Sequence, residues 1–326
     1  MGGVVLGTGA ATASSAHVAR ELAELGSSIG ITKVVAVDTT LPADDLGSAK
    51  FVRADIRTNV IGKVIAVEDV ETVVHLDLLS TRGRAGSAKE INVIGSMQVM
   101  AACQRAASIR RFVLVSNACV YGTSPNSPAV FRESDTARGG VNTGFPKDVV
   151  EVEGYMRGFA RRRPDVTSTT LRLAHIVTNQ FSTPLSRYFA NPVVPAPLGF
   201  DARLQFLHPD DAMTAIVKAA TEHHRGTFNG AGAGVLMLSP AARILGRPVL
   251  PMPPVGFSGA LSSVSKFMGT PMTSDISRLL TYGRVIDTSA LRETFGFTPQ
   301  HSTLDTFKEF AASLRPGMFQ LGGSRW

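Results

Sequence analysis

Two cysteines are all that the 326 residues contain. Cys103 falls in a predicted helix and Cys119 just after a predicted strand, so they suggest neither a disulfide framework nor a pair of metal ligands. They read as two buried thiols. Charged residues are scarce at 18% against 44% hydrophobic, which excludes a disordered chain and leaves one large domain, or a large and a small one. No uninterrupted apolar run reaches the ~20 residues of a helical membrane span, and no basic segment or cleavage site precedes the first strand in "MGGVVLGTGA". The expectation is a cytoplasmic protein with no membrane span. Internal repeats are absent, and no His, Cys and Asp cluster has metal-ligand spacing, so no metal is expected.

The net charge of +7 points to an anionic partner. Its basic residues are dispersed, however, and the densest run, "RGFARRRPD" (157–165), reads as the solvated C-terminal end of a helix, where Arg complements the helix dipole. Nucleic acid is therefore disfavoured as a partner, and a small, phosphate-bearing ligand suits the charge better.

What is present is alternation. Strand candidates are "GVVLG" (3–7), "KVVAVD" (33–38), "KFVRADI" (50–56), "TVVHLDLL" (72–79), "RFVLVSN" (111–117) and "STTLRLA" (168–174). Between them, 15–25, 88–107 and 147–162 repeat apolar residues at three- and four-residue spacing, the helical signature. This predicts an α/β fold, a doubly wound parallel sheet of Rossmann type covered on both faces, with ligands at the carboxyl ends of its strands. Beyond 174, "NPVVPAPLGFD" and "GRPVLPMPPVGFSG" are rich in Pro and Gly and read as connections in a smaller unit. The expected division is a dinucleotide-binding-type domain over 1–174, joined by about 205–235, and a smaller substrate-binding domain from 175–204 and 236–326.

In order and spacing, "TGAA" (8–11), Asp38, "ADIR" (54–57), "VVHL" (73–76), "NVIGS" (92–96), "VYG" (120–122), Lys147 with Glu151, "LHPDDA" (207–212), "TFNGAG" (227–232) and "DTSALRETFGFTP" (287–299) resemble the extended short-chain dehydrogenase/reductase superfamily. Specifically, the chain is similar to the NAD-dependent epimerase/dehydratase family that includes UDP-glucose 4-epimerases. The resemblance covers nearly the whole chain and implies a homodimer built by packing helices such as 88–107 and 147–162.

It also implies a cofactor site. The family's TGxxGxxG turn brings backbone N–H groups to the cofactor pyrophosphate at a helix N-terminus. Here Gly9 keeps the first glycine, Thr12 replaces the second and Ser15 the third; an alternative register pairs Gly7 with Gly9 and again meets Thr12. Thr12 either crowds the phosphate or replaces a backbone contact with a hydroxyl donor. The resemblance puts Asp38 on the adenosine ribose, favouring NAD over NADP since no Arg follows it, Asp55 and Ile56 beside adenine, and Asn92 among the cofactor-binding positions. Alternatively, Asp38 simply starts a turn. Asp77 and Leu78 stand where the family has small apolar residues. NAD is accordingly expected to bind weakly or not at all.

The family's reaction uses a Tyr acid/base, a Lys four residues later, and a Ser or Thr four residues before the Tyr of V-Y-G. Counting back from Lys147 gives Thr143, and from Tyr121 gives Asn117. An aliphatic hydroxyl cannot become an oxyanion near neutral pH as a Lys-paired phenol can. Asn117 can orient a carbonyl or hydroxyl but not relay a proton; Ser116, one residue along the strand, points to the other face. Tyr121 in a turn and Tyr155 two helical turns beyond Lys147 are poor substitutes. His175 stands where the family has a substrate-phosphate Asn and reads either as a ligand or acid/base group or as a structural residue. Arg203, Arg278 and Arg284 are candidates for an anionic ligand.

Three functions follow. The first is an enzyme that keeps the cleft but performs non-redox chemistry of isomerase, lyase or cyclase type, with Asn117, Thr143, Lys147 and His175 around a small-molecule substrate. The second is a non-catalytic protein that senses a nucleotide or metabolite. The third is an NAD-dependent sugar-nucleotide epimerase or dehydratase, against which the glycine turn, position 143 and position 117 all count.

Overall fold

The computed structural model describes residues 3–76, 88–135, 144–267 and 272–314; Asp77, Leu78 and Thr143 lie outside them. In chain order the strands are β1 (Gly3–Thr8), β2 (Ile31–Asp38), β3 (Lys50–Arg53), β4 (Val70–His75), β5 (Arg111–Asn117), β6 (Thr167–Leu173), β7 (Val194–Pro197), β8 (Arg203–Leu204), β9 (Gly226–Gly230), β10 (Leu236–Met237) and β11 (Val249–Met252). The helices are α1 (Ala13–Leu25), α2 (Val60–Val67), α3 (Ser96–Arg105), α4 (Gly144–Arg162), α5 (Pro184–Ala190), α6 (Pro209–Thr221), α7 (Leu238–Ile244), α8 (Phe257–Phe267), α9 (Ser274–Tyr282), α10 (Ser289–Glu293) and α11 (Thr303–Ser313). One π turn, Glu90–Gly95, runs into α3, a local change of pitch that the apolar period of 88–107 does not reveal.

The main sheet has seven strands in the order β3-β2-β1-β4-β5-β6-β9, the doubly wound α/β fold that the alternation predicts. The pairs β3–β2, β2–β1, β1–β4 and β4–β5 are parallel. Val-rich β2 and β4 are buried along most of their length, as strands covered on both faces must be. The third strand is shorter than its apolar run: it ends at Arg53, and the Ala54 N–H then turns back to the Asp38 carbonyl at 3.0 Å.

The chain divides into two compact units, the first from residues 1–120, 142–172 and 213–228, the second from 121–141, 173–212 and 229–326. The first has a core of Leu6, Val35, Val37, Val73, Phe112 and Leu114 from the sheet with Val99, Cys103, Val152, Met156 and Phe159 from α3 and α4. Both thiols are buried and outside any disulfide, and burial pushes the Cys103 thiol up, which leaves that thiol unreactive. Only part of the basic run is solvated. Arg161 and Arg162 are exposed in the last turn of α4, whereas Arg163 donates to the Cys103 and Ala106 carbonyls at 2.9 and 3.0 Å, capping the open end of α3.

The second unit is built around an aromatic cluster in which Phe307 packs edge-on to Phe189 (4.9 Å between centroids) and stacks on Phe206 (5.4 Å). Phe257 and Leu261 of α8 are buried in this core, so that apolar helix covers the unit's interior. Sequence reasoning misreads the proline-rich segments as connections. They form β7 and β11, a two-stranded parallel sheet in which Val249 pairs with Val194 and Met252 with Pro197. Val194 N–H donates to the Pro248 carbonyl and Leu198 N–H to Met252, so the alternate positions 195 and 197, both proline, need no donor.

Candidate functional site

In the first unit, parallel pairing brings the ends of β1, β2, β3 and β5, and with them Gly9, Asp38, Asp55 and Asn117, to one edge of the sheet. Gly9 follows β1 at φ +78°, in the left-handed region that only glycine enters cheaply, which is why this glycine persists. Thr12 has ordinary extended backbone (φ −90°, ψ 140°) and needs no glycine. Its hydroxyl accepts from the Ser15 N–H at 3.3 Å, capping α1, and lies 2.8 Å from Ser15 Oγ and 3.1 Å from the Gly9 carbonyl. The two replacements for glycine therefore bond one another. A Cβ on Gly7 would meet nothing within 4 Å, so β1 leaves open space at that point.

Asp38 is 4% exposed and heavily used. Its Oδ2 accepts from Ala11 N–H at 2.9 Å, and its Oδ1 from Thr39 N–H at 2.7 Å, Thr40 N–H at 3.2 Å and the Thr39 hydroxyl at 3.3 Å. The carboxylate thus ties the glycine turn to the end of β2. Arg53, unnoticed in sequence because it lies on the next strand, is the register partner of Asp38 and donates to the Thr39 carbonyl at 2.8 Å. Asp55 is gripped by Arg57 through Nε and Nη2, at 3.0 and 2.7 Å, and this hydrogen-bonded guanidinium holds its carboxyl below the usual range. Ile56 is buried beneath Gly95, where a Cβ would stand 2.6 Å from Ile56 Cδ1.

Behind these residues runs a buried chain of polar groups. Ser96 Oγ donates to the Asn92 carbonyl, which leaves it to accept from His75 Nε2 (2.7 Å); His75 Nδ1 then accepts from the Thr8 hydroxyl (2.8 Å), which accepts from Leu76 N–H (3.1 Å). Every proton is accounted for only if His75 is neutral and protonated on Nε2. Burial agrees, pushing its pKa down to about 4. Asn92 is wholly buried, and its amide donates to Asp148 of α4 at 3.1 Å, which fixes the π turn against the residue next to Lys147.

Lys147 itself is exposed in the first turn of α4 and makes no hydrogen bond or ion pair among the described residues. The Asn117 Oδ1 accepts from Cys119 N–H at 2.8 Å, shaping the turn after β5, while its amide N–H groups make no hydrogen bond among the described residues. Ser116 faces the other way, donating at 2.6 Å to Glu153, which forms a buried ion pair with Arg172 (2.7 Å).

In the second unit His175 forms a bridge with Phe206, and its Nε2 is buried without a hydrogen-bond partner among the described residues. Burial first, then the nearby Arg284, push its pKa down to about 3, so it is a neutral imidazole. Arg284 is 7% exposed, with Nε 3.4 Å from the Gly122 carbonyl, while Arg203 is half-buried and Arg278 exposed.

All four tyrosines lie among the described residues. Tyr121 is buried, donates to Asn229 Oδ1 at 2.7 Å and stacks on Phe131. Tyr155 donates to Glu151 at 3.1 Å, and burial together with that carboxylate raises its pKa, the reverse of what proton abstraction needs. Tyr188 is buried against the Pro195 carbonyl with its pKa raised further, and Tyr282 packs edge-on to Phe200.

Among the described residues no helix is long and apolar enough to cross a membrane. Residues 5–231 match the model of the NAD dependent epimerase/dehydratase family. The uncharacterized protein Rv0501 of Mycobacterium tuberculosis H37Rv is 43% identical over 315 residues, covering 94% of this chain and 83% of that protein. Among solved structures, MoeE5 in complex with UDP-glucuronic acid and NAD matches with a TM-score of 0.72 at 20% identity, over 96% of this chain and 97% of that one. UDP-glucose 4-epimerase from Thermotoga maritima with UDP-glucose matches with a TM-score of 0.71 at 17% identity, over 95% and 97%. Sheet order, turn geometry and the span of the match agree: the chain belongs to the NAD-dependent epimerase/dehydratase family.

Proposed function

We propose that this family member acts on a small, phosphate-bearing substrate of the nucleotide-sugar class by non-redox chemistry, of isomerase, lyase or cyclase type. The observation that carries the reading is the fate of the phenols. Position 143 is Thr, and Tyr121, Tyr155 and Tyr188 are each committed to a hydrogen bond elsewhere. Position 143 thus lacks the phenol that would take a substrate hydroxyl proton in step with hydride loss.

The adenosine half of a dinucleotide still fits. Asp38 holds its carboxylate at the end of β2 beside the glycine turn, and the β1 edge is open at Gly7. These residues would hold NAD, whose nicotinamide would supply a hydride acceptor, but the chain's own groups favour a binding or structural role for it. In the proposed reaction Lys147 sets an ammonium against developing negative charge on the substrate, and the Asn117 amide donates to a carbonyl or hydroxyl oxygen. The solved relatives that hold UDP-sugars support the substrate class.

The test is to supply NAD with UDP- and dTDP-hexoses, following NADH by absorbance and products by chromatography. Product with no NADH absorbance at any stage of turnover, lost in Lys147→Ala and Asn117→Ala, supports the reading; NADH formed transiently or stoichiometrically overturns it. A second reading, a nucleotide-sensing protein without turnover, is favoured by the Asn117 bond to Cys119 N–H, which gives that side chain a purely local role. It predicts ligand-dependent melting shifts with no product from any candidate.

A further inference from the structure

Spacing along the chain offers no metal-ligand set, but folding brings one together in the second unit. One ligand atom each from His208, His301 and Glu309 lie within 4.8 Å of one another. We infer that these three side chains bind a divalent transition cation of the zinc class, with Asp211 orienting one of the imidazoles.

Distance is the first support. His208 Nε2 and Glu309 Oε2 are 3.2 Å apart. A tetrahedral ion with bonds of ~2.0 Å separates its ligands by about 3.3 Å, so this pair already stands at the edge length such an ion requires. The second support is the group behind the ligands. Asp211 is 2% exposed and fixed by Gln300 N–H (2.8 Å) and His301 N–H (2.9 Å). Its Oδ2 lies 3.0 Å from His301 Nδ1, and since an ionised carboxylate can only accept, the ring proton is held on Nδ1 and Nε2 keeps its lone pair. A carboxylate behind an imidazole in this way is the arrangement that orients metal-bound histidines.

His208 is prepared for either tautomer. Asp210 presents its N–H to Nδ1 at 3.2 Å and its Oδ2 at 3.7 Å from the same nitrogen. The N–H serves the metal-free ring, whose Nε2 proton goes to Glu309; the carboxylate serves the ring once its proton moves to Nδ1 and frees Nε2. The two rings stack with centroids 3.8 Å apart, and His301, the more exposed, is the one that would tilt off that stack about its bond to Asp211 to meet the ion. The two supporting segments are held close at Gly232, where a Cβ would stand 2.6 Å from the His301 carbonyl and 3.0 Å from that of Phe206. Two nitrogens and one carboxylate, with a fourth position for water, suit zinc, with cobalt as a surrogate; magnesium and calcium prefer all-oxygen sets. The ion would fasten the segment leading into α6 to α11.

The experiment uses the full chain after treatment with chelator, titrated with zinc chloride by calorimetry and with cobalt followed by visible absorption. One zinc ion per chain, a tetrahedral cobalt spectrum and a melting shift of about 5 °C at a hundredfold excess over Kd are expected. His301→Ala and Glu309→Gln, both at partly exposed positions, each weaken zinc binding at least tenfold, and Asp211→Asn weakens it by roughly 10–100-fold. No saturable zinc binding to the wild-type chain, an affinity unchanged in both His301→Ala and Glu309→Gln, or an equal melting shift with magnesium overturns the inference.

Discussion

Thr12 Oγ1 and Ser15 Oγ lie 2.8 Å apart, so the two side chains that stand where the family has glycine satisfy one another at the start of α1. The turn has exchanged backbone openness for a side-chain cap. Removing the cap by Thr12→Ala costs roughly 1 kcal/mol of stability, while Thr12→Gly costs a few tenths, as urea unfolding will measure. The double variant Thr12→Gly with Ser15→Gly raises NAD affinity at least fivefold by calorimetry. An affinity no better than wild type would mean that these hydroxyls do not obstruct the pyrophosphate.

The wiring of His75 sets a pH dependence. Its folded pKa of about 4 lies below the 6.5 of an ordinary histidine, so the unfolded chain takes up a proton more readily than the native one. The neutral ring therefore contributes full stability above pH 6.5, and this is lost as pH falls toward 4, a change of about 3 kcal/mol over the window. Urea midpoints for the wild type and His75→Gln at pH 7 and pH 5 will show the slope flattened in the variant. Equal slopes would assign the acid sensitivity to other groups.

Glu153 is 3% exposed and holds both Arg172 and the Ser116 hydroxyl. Arg172→Met alone leaves the buried carboxylate with the Ser116 hydroxyl and the exposed Arg157 at 3.8 Å and costs about 3 kcal/mol, whereas Arg172→Met with Glu153→Leu recovers most of that loss. The double-mutant cycle in urea is the check. A double variant as unstable as the single one would show that packing, not charge, dominates at this junction.

Thr143→Tyr combined with Asn117→Ser restores the family's residue types at both positions. If the missing phenol is what stops hydride exchange, the double variant accumulates NADH in the presence of NAD and a UDP-hexose, and the wild type does not. Tyr155→Phe leaves wild-type behaviour unchanged, because that hydroxyl is engaged with Glu151 and its pKa is raised.

The sheet was legible because parallel strands buried on both faces write themselves as Val runs, and β5 is delimited in sequence as it is in space. Gly9 was legible for a similar reason, since a turn at φ +78° tolerates little else. The partners of Thr12, Asp38 and Asp55 were not, because a hydroxyl or carboxylate near a turn has several local donors within reach and only the backbone path selects among them. Arg53 escaped notice, and Arg163 was read as solvated, because their partners are strands and helices away in the chain. The same distance hid the grouping of His208 with His301 and Glu309. The strands β7 and β11 were lost because proline erases the alternation by which strands are recognised.

Those prolines do more than permit pairing. Pro195 and Pro197 occupy the positions of β7 whose N–H groups would point away from β11, so the free rim of the ribbon has no donors to offer there. A stray extended peptide, or another copy of the same chain, finds no template on which to lengthen it. In the folded chain β7 is also buried, and if the surrounding helices loosen, the two prolines still deny such a strand the donors of a full ladder.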